Sequence, residues 1–302
     1  MDSQLPKQPS HNRARRARRI HRFLSVSIGL AIALAVASVV VAYALSESKI
    51  NEEYLVADAV LTLDAKQPDI ERGERLVRGV LRCTECHEKD LGGKVIVDTE
   101  IGRVAAPNLT RGDGGIWTSL SNAAWIRALR HGVGRDDRGL WMMPTSRLSQ
   151  LQDQEIVDII AYIGTVPSVA RVTEVSQLGL LGRLVHAMGK LTLIEARTER
   201  AESSRTEPEG AVARGRHLSE LAGCSGCHGP NLRGEGQSIG ADLVGGSFQT
   251  WSSEGFIKAM RQGIRPDSEA MSDDMPWPEF GRLTDSELTD LFEYLKSLGS
   301  KG

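Results

Sequence analysis

Two short motifs contain every cysteine of the chain. Both have the form Cys-x-x-Cys-His, and their residues are Cys83, Cys86 and His87, then Cys224, Cys227 and His228. Cysteines three residues apart on a helical turn point to the same side, so both sulfurs can form thioether bonds to the vinyl groups of one haem. The adjacent histidine then supplies an imidazole to the iron. The spacing therefore predicts two covalently bound haem c groups.

Two other kinds of site use paired cysteines. A structural zinc site binds one ion through four thiolates. Here the pairs lie 141 residues apart in separate halves of the chain, and zinc leaves both motif histidines without a role. A thioredoxin-like redox pair requires strands that alternate with helices, and the chain lacks that pattern. Haem attachment is the preferred interpretation.

The haem iron of an electron carrier needs a sixth ligand, which methionine commonly supplies. Met143-Pro144 and Met275-Pro276 recur at a spacing of 132 residues. A lone methionine usually packs in a core, but this repetition favours a ligand at both places. The predicted iron ligands are His87 with Met143, and His228 with Met275.

The remaining methionines and histidines are interpreted without a role at the iron. Met142 is expected to pack against the haem edge or other apolar groups, and Met260 and Met271 are read as ordinary apolar residues. His131 aligns with a glutamine in the second half, and His217 is expected on the surface of the helix before Cys224. Bis-histidine ligation stays open as the alternative.

The motifs belong to two copies of one domain. Residues 125–133 align with 256–264 at an offset of 131, and residues 143–162 align with 275–294 at an offset of 132. Apolar residues in each copy fall at helical spacing, and glycine-rich loops separate the helices. Thr284 and Glu287 form a capping box that starts the last helix. The pattern predicts an all-α fold with long loops, and two tandem domains at 68–167 and 209–302.

The N-terminus resembles a membrane anchor. Residues 1–22 are basic, and the uncharged stretch 23–45 is long enough to span a bilayer. The positive-inside rule keeps the basic residues cytoplasmic and places the rest on the periplasmic or extracytoplasmic side of the inner membrane. Cleavage after Ala44 as a signal peptide is the alternative. Beyond residue 22, 30 basic and 38 acidic residues give a net charge of −8, which argues against nucleic acid as a partner.

Two connecting segments complete the domain plan: a connector at 46–67, and an interlobe helix with a polar linker at 168–208. Residues of the interlobe helix form one apolar stripe, made of Leu180, Leu181, Leu184, Val185, Met188 and Leu191. Such a stripe is typical of a helix packed on one lobe. Docking to the membrane surface or to a partner subunit is the alternative.

These residues resemble membrane-anchored dihaem cytochromes c, and they are similar to the haem domains of cytochrome c subunits of membrane-bound alcohol and aldehyde dehydrogenases. The resemblance covers residues 68–167 and 209–299. It rests on both Cys-x-x-Cys-His motifs, both Met-Pro pairs, Ala106-Pro107-Asn108-Leu109-Thr110, Trp117-Thr118 and the segment 127–132. It implies that the Pro107 carbonyl orients His87. The second copy departs from it, with Ala241-Asp242-Leu243 and no proline, which puts the matching contact at His228 in doubt.

The predicted function is electron transport rather than catalysis. Each haem iron would alternate between two oxidation states, and no small-molecule substrate is expected. The resemblance implies a redox protein donor, either a dehydrogenase subunit or a quinol-oxidising complex, and an oxidase or soluble cytochrome as acceptor, in a respiratory chain. Dehydrogenase subunits of this kind often carry three haems, whereas this chain has motifs for two. The alternative function is a dihaem peroxidase-like enzyme with one open haem site.

Overall fold

The computed structural model describes residues 11–56, 67–199 and 208–299. Parts of three expected segments lie outside the described residues, namely 1–10 of the N-terminus, 57–66 of the connector and 200–207 of the linker. The first element is α1 (His11–Ile50), a continuous helix of 40 residues. Over the described part of the chain, it is the one helix long and apolar enough to cross a membrane. The stretch 23–45 is therefore a candidate anchor.

The first lobe, α2 to α6, opens with a helix that changes its winding. α2 (Ile70–Glu74) continues without a break into π-helical turns at Arg75–Val80. Its first turn is capped by Asp69, whose side chain accepts a hydrogen bond from the Arg72 amide at 2.9 Å. The other helices are α3 (Cys83–His87), a 3-10 turn (Trp117–Ser119), α4 (Asn122–Ile126) with a π-helical continuation (Arg127–His131), α5 (Thr145–Leu148) and α6 (Asp153–Thr165).

A small antiparallel sheet corrects the expectation of an all-α chain. Its strands are β1 (Lys94–Thr99), β2 (Gly102–Ala106) and β3 (Gln177–Leu178), in the order β1-β2-β3. The β1–β2 hairpin follows the first haem motif, and β3 returns from the segment after α6 to pair with β2. These strands are short, and one of them has only two residues, so their alternation is too brief to be recognised in the sequence.

The interlobe stripe forms α7 (Leu180–Ala187), which packs against α1. The second lobe follows, and its elements are α8 (Ala211–Ala222), α9 (Cys224–His228), a 3-10 turn (Gly246–Thr250), α10 (Ser253–Gln262), α11 (Trp277–Phe280) and α12 (Asp285–Gly299). The predicted capping box of α12 is confirmed. The Thr284 amide donates to Glu287 Oε2 at 2.7 Å, and the Glu287 amide donates to Thr284 Oγ1 at 3.1 Å.

Each lobe is built on one crossing between its first and last helix. A Cβ atom added to Gly73 would lie 2.1 Å from the Asp158 carbonyl oxygen, and one added to Gly215 would lie 1.9 Å from the Asp290 carbonyl oxygen. An ion pair closes the crossing in both lobes. Arg72 lies 3.6 Å from Asp158, and Arg214 lies 2.6 Å from Asp290. Since all of these positions match under the sequence repeat, the two lobes share one helical framework.

The lobes contact each other through equivalent pairs. Arg75 of the first lobe lies 3.0 Å from Glu287 of the second, and His217 of the second lies 2.9 Å from Glu155 of the first. Arg75 and His217 occupy matching positions in the helices before the motifs, as do Glu155 and Glu287 in the last helices. Each lobe therefore presents the same surface to the other, which is the arrangement of an approximate twofold axis.

Candidate haem-binding sites

Both motifs lie on single helical turns with the same entry and exit. The residue before the first cysteine is left-handed in each copy: Arg82 has φ 53° and Gly223 has φ 75°. The residue after the histidine also has positive φ in each copy, 68° at Glu88 and 79° at Gly229. Glycine adopts these angles freely, whereas arginine does so at a cost of roughly 1 kcal/mol. The Arg82 side chain is held by Glu85 at 2.9 Å and by stacking over Phe280.

The imidazole of His87 is oriented by the backbone, as the resemblance implied. Its Nδ1 lies 2.9 Å from the Pro107 carbonyl oxygen, which can only accept, so Nδ1 carries the proton. Burial lowers the pKa of His87, and the hydrogen bond to Pro107 partly offsets this effect. The ring is therefore neutral, and Nε2 has a lone pair that is free to bind a metal.

The doubt about a matching contact at His228 is resolved in the other direction. His228 Nδ1 donates to the Ala241 carbonyl oxygen at 2.7 Å. The acceptor is a main-chain atom, so proline is not required at this position. The absence of proline from Ala241-Asp242-Leu243 therefore does not make the two histidines different. The matching hydrogen bond at Ala241 is the site contact that sequence reasoning missed.

Gly240 brings the backbone against the ring of His228. A Cβ atom added there would lie 2.5 Å from His228 Nδ1 and 2.8 Å from its Cε1. Real Cβ atoms do not approach other atoms so closely, so a larger residue would displace the imidazole. The amide of Gly240 donates to the Cys227 carbonyl at 2.9 Å, which ties this segment to the motif helix.

The motif thiols are free and mostly shielded from solvent. Burial raises the pKa of Cys83 to about 12, and it also raises the pKa values of Cys86 and Cys224. These thiols are therefore protonated at neutral pH. Over the residues described, no three His, Cys, Asp or Glu side chains are grouped so that they could hold a metal ion. The two pairs are thus not assembled into one four-thiolate zinc site.

Met143 and Met275 begin the same tight turn. The Met143 carbonyl accepts from the Thr145 amide at 2.8 Å, and the Met275 carbonyl accepts from the Trp277 amide at 2.7 Å. The intervening prolines have φ −77° with ψ 66° and 53°, which is the inverse γ-turn. Both methionine side chains are half-buried against the core. The two positions are therefore equivalent in local structure.

The other methionines have different surroundings. Met142 is 45% exposed and has a left-handed backbone with φ 54°, whereas its neighbour Met143 packs against the core. Met260 is buried within α10, as expected for an apolar core residue, and Met271 is half-buried in the loop before Met275.

The expected surface position of His217 is wrong. His217 is buried between the lobes, and its Nε2 lies 2.9 Å and 3.0 Å from the two carboxylate oxygens of Glu155. The repeat contained a signal for this contact, since His217 aligns with Arg75 and Glu155 with Glu287. His131 is also buried, and its Nδ1 donates to the Arg197 carbonyl at 2.9 Å.

The residues of both motifs fit haem c. Each motif combines two thiols one helical turn apart with a buried imidazole whose Nδ1 is occupied by a carbonyl, which leaves Nε2 for the iron. A haem bound here would supply a one-electron redox centre. The chain supplies the covalent attachment, the orientation of the ring and the exclusion of water.

Two family models match the chain. Residues 68–163 match the model of cytochrome c oxidase, cbb3-type, subunit III, and residues 212–299 match the model of cytochrome c. These stretches contain the first and the second Cys-x-x-Cys-His motif, and proteins of the cytochrome c class bind haem c covalently.

Two curated relatives are cytochrome subunits of dehydrogenases. The cytochrome c subunit of alcohol dehydrogenase (quinone) from Gluconobacter oxydans is 29% identical over 101 residues, which is 28% of this chain and 21% of the relative. The fructose dehydrogenase cytochrome subunit from Gluconobacter japonicus is 28% identical over 129 residues, 36% of this chain and 26% of the relative. The chain thus spans about a quarter of their length. Both lobes of this chain are cytochrome c domains, and its function is that of an electron-transfer cytochrome c.

Proposed function

We propose that this chain is a membrane-anchored dihaem cytochrome c that carries single electrons between two redox proteins. The observation that carries the proposal is the repeated histidine geometry. In both lobes, a motif histidine donates from Nδ1 to a backbone carbonyl, at 2.9 Å and 2.7 Å, and is thereby prepared as a metal ligand. The haem domains would comprise residues 68–167 and 209–302.

The proposed iron ligands are His87 with Met143 and His228 with Met275. The shared inverse γ-turn and the half-buried position of both methionines support this pairing. A thioether ligand raises the reduction potential relative to a second histidine, which suits a carrier at the oxidising end of a chain.

Electron exchange between the two haems is supported by the interface between the lobes. Arg147 Nη2 donates to the Leu81 carbonyl at 3.3 Å, two residues before the first motif. The same side chain lies against Gly223, the residue before the second motif, where an added Cβ would be 2.6 Å from Arg147 Nη1. Both motif turns therefore begin beside one arginine.

We place the haem domains on the periplasmic side of the inner membrane. The uncharged stretch 23–45 of α1 would span the bilayer, with the basic residues before it in the cytoplasm and the lobes on the other side. N-terminal sequencing of the mature protein tests this arrangement against cleavage after Ala44.

The proposed donor is a membrane-bound dehydrogenase or a quinol-oxidising complex, and the proposed acceptor is an oxidase or a soluble cytochrome. The dehydrogenase is supported by the printed descriptions of the two relatives, which are cytochrome subunits of alcohol and fructose dehydrogenases. Co-purification of the full chain from membranes, followed by mass spectrometry, identifies the partner.

The haem count and the ligands are tested together. The purified chain should contain two haem c groups per polypeptide by pyridine haemochrome assay. The variants Met143→Ala and Met275→Ala should each remove half of the weak near-infrared Fe–S(Met) band. Met142→Ala is the matched control, since it changes the same residue type at a neighbouring exposed position, and it should leave the band intact. An unchanged band in both ligand variants contradicts the ligand assignment.

Binding of carbon monoxide distinguishes the carrier from a dihaem peroxidase-like enzyme. With both irons ligated on two sides, the reduced protein should bind carbon monoxide slowly, whereas an open site binds it at once. Rapid binding at one of the two haems in the native protein contradicts the proposal.

A further inference from the structure

Helix α7 has an unusual distribution of buried and exposed residues. Its apolar stripe is largely exposed, with Leu180, Leu181 and Met188 exposed to 56%, 49% and 66%. Its polar residues are the buried ones: the Arg183 side chain is 15% exposed and His186 is 7% exposed. A helix packed on a water-soluble lobe has the opposite distribution. The exposed stripe therefore requires an apolar surrounding that the described residues do not supply.

The polar residues of α7 fasten it to the end of α1. Arg183 Nη1 lies 2.5 Å from a carboxylate oxygen of Glu47, and its guanidinium stacks over the Tyr43 ring at 4.1 Å. Ser46 Oγ lies 3.0 Å from His186 Nδ1 in a buried contact. These contacts fall at the C-terminal limit of the uncharged stretch 23–45, where Tyr43 occupies the position typical of an interfacial aromatic residue.

The contacts between α1 and α7 extend further into the apolar stretch. Leu184, Ala187 and Met188 form one side of a groove of about 620 Å³, and the other side consists of Leu34, Ala37, Ser38, Val41, Ala42 and Leu45. From Tyr43 to Leu34 the helix rises about 14 Å. The stretch 23–45 is barely longer than the roughly 20 residues that a bilayer requires, so little of it can stand outside the hydrocarbon.

We propose that α7 inserts into the outer leaflet of the lipid bilayer beside α1, with Leu180, Leu181 and Met188 in contact with acyl chains. This inference rests on the proposed membrane span of α1 and adds a second membrane contact to it. Arg183 and His186 remain at the level of the headgroups because they are paired with residues at the end of α1.

The insertion would hold the first lobe close to the membrane. Leu178, two residues before α7, pairs with Gly102 in β2, and the Gly179 amide donates to the Ile101 carbonyl at 3.0 Å. β2 ends at Ala106, next to Pro107, whose carbonyl orients His87. The first haem site is therefore connected to α7 through a continuous sheet, and its motif becomes the one fixed relative to the bilayer.

Lipid photolabelling of the full-length holoprotein tests the insertion. The protein is placed in nanodiscs of phosphatidylethanolamine and phosphatidylglycerol that contain a phosphatidylcholine with a diazirine on its acyl chain. After irradiation, mass spectrometry locates the labelled peptides. We expect label on residues 23–45 and on residues 180–188. Label on 23–45 alone overturns the insertion of α7 and leaves the anchor standing, and it would favour a protein partner for the stripe. Absence of label from both overturns the anchor itself.

A double variant with a matched control strengthens the test. Leu181→Glu with Met188→Glu should lower the labelling of 180–188 by about tenfold or more, because carboxylates avoid hydrocarbon, while the labelling of 23–45 persists. Ile239→Glu changes an apolar residue that is 75% exposed in the second lobe, and it should leave both labels unchanged. A normal haem spectrum shows that each variant has folded. Equal labelling of α7 in the double variant and the wild type contradicts the proposal.

Discussion

At the scale of single residues, the second lobe shows which property of a haem-ligand histidine depends on side chains and which does not. His228 has the same hydrogen bond as His87 although Ala241 replaces proline, because the acceptor is the main-chain carbonyl. The side chain that matters at this place is the absent one of Gly240, which lies against the imidazole ring.

The variant Gly240→Val is expected to displace the ring of His228. Its Cβ would start 2.5 Å from Nδ1, so the imidazole must move and the second haem site loses its oriented ligand. We expect the Fe–S(Met) band to fall by half and the midpoint potential of one haem to shift, both measured by spectroelectrochemistry. Ala241→Ser is the control, since its side chain is exposed and its carbonyl is retained. An unchanged potential in Gly240→Val would show that the ring has room to spare.

At the scale of secondary-structure elements, the two helix crossings explain why Arg72-Gly73 and Arg214-Gly215 recur in the sequence. Glycine lets α2 and α8 touch the backbone of α6 and α12, and the preceding arginine pairs with an aspartate of the partner helix. The repeat predicted that the positions are equivalent, but only the folded chain shows that they form a contact.

Gly73→Ala and Gly215→Ala separate helix propensity from packing. Propensity alone predicts that alanine stabilises each helix by about 1 kcal/mol. The contact of 2.1 Å or 1.9 Å with a carbonyl oxygen predicts the opposite sign, because overpacking costs roughly 1–3 kcal/mol. We expect the unfolding temperature of the affected lobe to fall by about 4 °C or more in differential scanning calorimetry. Val212→Ala, on the exposed face of α8, is the control and should change it little.

At the scale of the whole molecule, the approximate twofold axis makes the two interlobe ion pairs equivalent in position but not in chemistry. Arg75 with Glu287 is charged over the whole accessible pH range, whereas His217 with Glu155 can titrate. Burial acts to lower the pKa of His217, but the hydrogen bond and charge of Glu155, with a further contribution from Glu220, outweigh it and raise the pKa. Arg72 opposes them.

The pKa of Glu155 is shifted in the complementary direction. Burial acts to raise it, and the hydrogen bond and charge of His217, the Gln152 amide and Arg72 together lower it. A raised histidine pKa stabilises the fold below the unfolded value of 6.5, and this contribution is lost as the pH rises through the folded value. A lowered glutamate pKa stabilises the fold above about pH 4.3. The pair therefore contributes most between about pH 4.3 and 6.5.

His217→Arg copies the residue at the matching position of the other lobe and tests this pH dependence. The unfolding temperature of the wild type should fall as the pH rises from 6 to 9, whereas the arginine variant should lose less because its charge persists. His217→Gln should be less stable than the wild type at pH 6 and should resemble it more closely at pH 9. Parallel curves for the wild type and the arginine variant would contradict the role of the buried pair.

The sequence by itself determined the chemistry of this protein. Covalent haem attachment requires two cysteines and a histidine at fixed spacing, and helical periodicity, capping residues and a long uncharged stretch are local properties. The repeat then identified equivalent residues, including Met143 and Met275. Prediction failed where a contact joins distant residues of the chain: the carbonyl of Ala241 at His228, the burial of His217 beside Glu155, and the short sheet completed by β3.

Only the tertiary structure decided how these parts are arranged relative to one another. A main-chain carbonyl carries no sequence signature, and a strand of two residues is stabilised by its partner rather than by its own pattern. The stripe of α7 reads identically in the sequence whether it faces a lobe or a bilayer. The folded chain distinguishes these cases because it buries Arg183 and His186 against α1 and leaves the leucines outside. Burial depends on the surroundings of a residue, and these are set by the whole fold.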